Sequence, residues 1–137
     1  MAIDNIKNIL HGDGGHSLII ENDGITTFDG RGISDLFRLL HENPIILNGA
    51  VIADKIVGKA AAALMIIGKV KEVYADIISE PALALLKNSA ITVNYGLKVN
   101  HITNRTNTGW CPMEILCKDS LTADDCYNLI SNKLNSK

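Results

Sequence analysis

The sequence predicts an α/β domain built on a mixed, mostly parallel central sheet flanked by helices. Three observations lead there. Between residues 50 and 95, short β-favouring stretches alternate with segments of helical periodicity; near the start an Asn-Asp-Gly step joins two strand-like stretches; and the composition is that of one folded unit. With 137 residues, 47% of them hydrophobic and 20% charged, the chain can enclose one substantial core and hardly two. Residues 1–137 are therefore expected to form a single domain.

Residues 3–10 carry Ile3, Ile6, Ile9 and Leu10 at the three-to-four spacing of a short amphipathic helix, and His11-Gly12-Asp13-Gly14-Gly15 ends it. Residues 17–21 and 25–28 flank Asn22-Asp23-Gly24, whose Asp-Gly step tolerates the positive φ of a tight turn, so they read as an opening hairpin. Helical spacing returns over residues 33–42 through Ile33, Leu36, Phe37, Leu39 and Leu40, and Asn43-Pro44 stops it. After Asn48-Gly49, residues 50–53 read as a short strand. Asp54 then reads as the cap of an Ala-rich helix through residue 67, closed by Gly68. Residues 73–78 are the next buried strand, 81–87 the next helix, and 91–95 a third strand ending at Gly96. Strands separated by helices pair in parallel, because a parallel neighbour needs a crossover connection. A polar loop over residues 101–109, a short helix beginning near Cys111 and a last helix over residues 122–134 complete the chain.

A formal net charge of −2 offers no electrostatic footprint for nucleic acid or for an anionic membrane. The longest apolar run, residues 60–67, is far short of the roughly 20 residues that span a bilayer. The start MAIDNIKNIL has neither the basic flank nor the continuous apolar run of a secretory signal, so a cytoplasmic protein is expected. Cys111, Cys117 and Cys126 are odd in number and contain no Cys-x-x-Cys pair. Neither a disulfide framework nor a zinc ribbon fits them, and no metal or other cofactor is expected.

The order hairpin, helix, strand, helix, with the stretch Tyr74-Ala75-Asp76-Ile77-Ile78-Ser79-Glu80-Pro81 followed by Tyr95-Gly96, is similar to the cytidine-deaminase-like superfamily. That resemblance implies a three-layer fold. Active members follow the proline with a Cys-x-x-Cys pair, where this chain has Ala82 and Leu85, and they carry a His-Ala-Glu element in the preceding helix, where residues 54–64 hold neither His nor Glu. The zinc-hydroxide mechanism of those enzymes therefore does not transfer. More closely, the set Ala53-Asp54-Lys55-Ile56-Val57-Gly58-Lys59, Ser79-Glu80-Pro81 and Thr108-Gly109-Trp110-Cys111-Pro112-Met113-Glu114 resembles an uncharacterised family of that superfamily, a domain of unknown function, over nearly the whole chain.

Several residues invite chemistry. Cys111 stands before Pro112 at an expected helix start, where a thiolate is favoured and a nucleophile can form; a small buried cap would show the same letters. Cys117 and Cys126 fall in apolar stripes and read as core. Lys55 and Lys59, one turn apart on the expected helix, present two ammonium groups to an anion or to water. Asp54 reads as a cap or a ligand contact, and Ser79 and Glu80 cap the helix opened by Pro81. Helix starts at the carboxyl ends of parallel strands are also where α/β proteins place ligands. Arg105 can grip a phosphate or carboxylate with its planar fork, and Glu114 can complete a cap or act as a base. His101 is a secondary candidate as an aid to the thiol, whereas His11, His16 and His41 read as structural. Gly30-Arg31-Gly32 is a weak anion-loop signal, and Trp110 is either a stacking surface or an anchor.

These residues define an expected pocket, independent of zinc, for a small anionic and nucleotide-like ligand. Cys111, Lys59 and Glu80 are its candidate catalytic groups, and Asp54, Lys55, Ser79, Arg105 and Glu114 its binding groups. The alternatives are a noncatalytic binding or regulatory module and a homo-oligomeric scaffold assembled through its apolar helices, a reading prompted by the long Ala-rich one.

Overall fold

The structure, a computed structural model, describes residues 2–30, 33–103 and 108–135. Arg105, and the Arg31 and Gly32 of the glycine loop, lie outside the described residues. Helix α1 (Ala2–Leu10) is followed by strands β1 (Leu18–Glu21) and β2 (Ile25–Phe28), which pair antiparallel with Leu18 opposite Phe28 and Glu21 opposite Ile25. The turn between them holds Asp23 at φ 55° and Gly24 at φ 131°, the region the Asp-Gly step was expected to supply. Helix α2 (Ser34–Glu42) and a 3-10 turn at Pro44–Ile46 lead to β3 (Val51–Val57), α3 (Lys59–Ile67), β4 (Glu72–Ser79), α4 (Glu80–Lys87) and β5 (Thr92–Val99). Helices α5 (Pro112–Cys117) and α6 (Ala123–Asn135) close the chain.

The five strands form one sheet in the order β2-β1-β3-β4-β5. Strand β1 runs antiparallel to both neighbours, and β3, β4 and β5 run parallel. On one face α1 buries Ile6 and Leu10 against Ile19, Val51, Ala53 and Tyr74. On the other lies the main core, where α3 is flanked by α2, α4, α5 and α6. Every residue of α3 from Lys59 to Met65 is buried, so the Ala-rich helix is a central core element without a polar stripe. Small alanine side chains let its neighbours approach closely on all sides.

Two boundaries differ from those expected, and one of them rearranges the candidate site. Strand β3 does not stop at Ala53. It continues through Asp54, paired with Ala75, and on through Ile56 and Val57, paired with Ile77 and Ile78. The β-branched Ile56 and Val57 suit that pleated, half-buried environment, and the sheet overrides the capping potential of Asp54. Helix α3 begins at Lys59 with Gly58 as its cap residue. Asp54 is thus a strand residue and not a helix cap, and Lys55 and Lys59 do not share a helical face. Strand β5 likewise passes through Gly96 and ends at Val99. A Cβ at Gly96 would lie 3.0 Å from the Asp76 carbonyl oxygen and 3.3 Å from the Tyr74 hydroxyl, so this glycine marks a close approach inside the strand and not its end.

Candidate functional site

The carboxyl end of β3 and the start of β1 lie side by side, with Asp54 opposite Leu18. Around them opens a cleft of about 780 Å³. Its walls come from Ser17 and Leu18, from Ile33, Asp35 and Leu36 of the α2 region, from Asp54, Lys55 and Ile56 of β3, from the α3 start, and from Ile102, Thr103 and Cys111 to Glu114. The lining is mostly apolar, the character of small-molecule sites.

One wall is held by Glu114. Its Oε1 accepts the Lys59 backbone N–H at 2.6 Å and the Ser79 hydroxyl at 3.4 Å, and its Oε2 accepts the Ile102 backbone N–H at 3.0 Å. The carboxylate is 3% exposed and sits at the N-terminus of α3, where the unpaired N–H groups and the helix dipole favour an anion. Gly58 makes the approach possible, since a Cβ there would lie 2.9 Å from Oε1. Glu114 therefore neither caps its own helix nor stands as a free base. It ties α3, the end of β4 and the segment at Ile102 to α5.

The buried Lys59 side chain turns the other way. Its Nζ donates to the Lys118 carbonyl at 3.2 Å and to the Ser120 carbonyl, satisfying acceptors just past α5. Ser79, fully buried, caps α4 by accepting the Ala82 N–H at 3.2 Å. Neither residue lines the cleft, and Glu80 is exposed outside it. Of the eight candidates, the cleft gathers Asp54, Lys55, Cys111 and Glu114; Lys59 and Ser79 brace its wall from behind.

Asp54 is the unusual group. Burial among apolar neighbours pushes its carboxyl up to about 7, while the backbone N–H groups of Ile56 and Lys55 pull it down and the charges of Asp76 and Asp35 add smaller upward pushes. The Ile56 N–H donates to Oδ1 at 3.3 Å. Asp35, a lining residue that sequence reasoning passed over, accepts from Arg38 at 3.2 Å. Its one sequence signal was a carboxylate in the first turn of α2.

Cys111 is half-buried, and its N–H donates to the Ile102 carbonyl at 2.8 Å. Its thiol makes no hydrogen bond among the described residues. His101 stacks on Trp110, with ring centroids 4.3 Å apart and an interplanar angle of 7°, and Lys118 Nζ lies 5.4 Å from the Trp110 ring centroid. Trp110 thus packs between His101 and Lys118, and His101 is engaged on it. His11 contacts Asp76, His16 contacts Asp29, and His41 contacts Tyr127.

Fold and site together define a mixed α/β domain with a braced apolar cleft at the carboxyl end of β3, beside the start of β1. Its sequence matches the family described as domain of unknown function DUF1893 (TM1506) over residues 5–134, and the chain belongs to that family. The crystal structure of a DUF1893 family protein, TM1506 from Thermotoga maritima, at 2.70 Å resolution is similar, with a TM-score of 0.86 and 22% identity over 96% of this chain and 88% of that one. At this identity the likeness speaks for the fold. No curated protein matches the chain. Among the described residues no helix is long and apolar enough to cross a membrane.

Proposed function

We propose that the protein binds a small molecule in this cleft, with Asp54 as the polar anchor. The observation that carries the reading is the Asp54 carboxyl, held near 7 by burial in a largely apolar cleft of about 780 Å³. A perturbed titrating group in a concave apolar site is the signature of a ligand or reaction centre. Such a carboxyl suits a ligand with an apolar body that presents an N–H donor.

The charge balance revises the expected ligand. Lys55 is the one cation among the described lining residues, whereas Asp35, Asp54 and Glu114 are all carboxylates. The anionic character expected from a lysine pair is thereby reduced to one substituent, directed at the exposed Lys55. A planar, nucleotide-like molecule with a ring N–H for Asp54 and an anionic group for Lys55 meets these terms. The deaminase-like scaffold belongs with this reading, as a metal-independent binding fold.

A second reading is favoured by the place of Cys111 in the same lining. If the bound molecule is turned over, Cys111 is the nucleophile and Asp54 the group that moves the proton. Lys59 has no part in that scheme, because its ammonium is engaged away from the cleft, and Glu80 has none, because it stands outside.

Native mass spectrometry against a panel of heterocycles with and without anionic substituents tests the proposal. Ligands are expected to weaken about tenfold, roughly 1.4 kcal/mol, in Asp54→Leu, and anionic members to weaken further in Lys55→Ala. Binding unchanged in both variants overturns it. Cys111→Ser retains binding and abolishes turnover if the second reading holds.

A further inference from the structure

We propose that the outer edge of β5 is an interface for a second copy of this chain, whose own β5 adds antiparallel across a twofold axis at Gly96 and joins the two sheets into one. Strand β5 stands last in the order β2-β1-β3-β4-β5, and among the described residues it pairs with β4 alone. Its outer side therefore presents a row of backbone N–H and C=O groups along eight residues. A further strand satisfies such a row, and an identical strand does so for both copies at once.

The two edges of the sheet differ in what they expose. Strand β2 has four residues, two of them threonines, and Ile25 is its one exposed large apolar side chain. Strand β5 is twice as long, and its Tyr95 and Leu97 are 43% and 55% exposed. Natural edges are commonly blunted by shortness, proline or clustered charge. Strand β5 has no proline and a single charged residue, Lys98. A long edge of this composition is suited to being covered.

Charge complementarity identifies the partner as a second copy. Glu72, the first residue of β4, accepts the Asn94 side-chain amide at 3.1 Å, which fixes a carboxylate beside β5. With the axis at Gly96, antiparallel pairing sets Asn94 of each copy opposite Lys98 of the other, Tyr95 opposite Leu97, and Val93 opposite Val99. Directly opposed residues lie about 5 Å apart, so each Lys98 comes within reach of the carboxylate held on the facing Asn94. Two ion pairs then flank a centre of four exposed apolar side chains. An axis at Lys98 instead opposes two ammonium groups, which is destabilising. No residue of β5 lines the cleft, so this interface is independent of the ligand reading.

Sedimentation velocity of the full chain over a concentration series tests the interface. The wild type is expected to reach twice the chain mass as concentration rises. Leu97→Asp, at an exposed position, and the charge reversals Lys98→Glu and Glu72→Lys are each expected to weaken the dimer about tenfold or more, with the far-ultraviolet circular dichroism unchanged. The two reversals combined are expected to restore it, which a change acting through the fold of one copy would not do. A monomer at every concentration, which would leave the edge to a different protein, overturns the proposal. So does a dimer indifferent to all three single variants, or a combined reversal that dimerises no better than either reversal alone.

Discussion

Glu114 and Asp54 are carboxylates in the lining of one cleft, yet their surroundings differ. Glu114 takes three hydrogen bonds from three separate segments, two of them from backbone N–H groups. Asp54 takes its hydrogen bond from Ile56, two residues further along its own strand, and faces apolar neighbours across the cleft. A buried polar group with a full set of partners holds structure together, whereas one with few partners and a displaced titration retains capacity to bind something else. The closed region is architecture and the open region is the candidate site.

Substitution distinguishes the two, with the largest effect on the closed side. Glu114→Ala leaves buried donors at the α3 start and at Ile102 without an acceptor and is expected to cost about 3 kcal/mol or more in urea denaturation. An unchanged midpoint would break the comparison. Gly58→Ala places a methyl group 2.9 Å from Glu114 Oε1 and is expected to cost about 2 kcal/mol in the same measurement.

Asp54→Asn is expected to act in the opposite direction. The unfolded chain releases the Asp54 proton near the ordinary 3.8 and the folded chain near 7. Between those values the folded state binds the extra proton, so wild-type stability falls as pH rises through this window and stays reduced above it. Asp54→Asn removes that loss. Above about pH 8 it is expected to exceed wild type by more than about 1 kcal/mol, one pKa unit being worth about 1.4 kcal/mol, and the advantage disappears near pH 4. Parallel stability curves for the two proteins would show that Asp54 is not desolvated. The smallest effect sharpens the boundary between the regions: Ser79→Ala loses the α4 cap and the bond to Glu114, and is expected to cost about 1 kcal/mol without altering the pH profile assigned to Asp54.

Much of the fold was legible because it is written in local periodicity and turn chemistry. The hairpin followed from Asp23-Gly24, and the parallel core from strands and helices in alternation. The site was legible in part. Asp54, Lys55, Cys111 and Glu114 do line one cleft, but Lys59, Ser79 and Glu80 do not. Asp54-Lys55 before an alanine run reads as a helix start, and nothing local reveals that Tyr74 and Ala75 will pair with this stretch and prolong the strand.

By itself the sequence determined the kinds and order of elements, the hairpin turn, the Ser79 cap before Pro81 and the buried nature of Cys117 and Cys126. Each depends on neighbours within a few positions. Only the tertiary structure decided where β3 ends, which way Lys59 points, and which carboxylate is enclosed. Glu114 meets the Lys59 N–H across 55 positions of chain, and a partner that distant exists only once the sheet has brought both ends of the contact together.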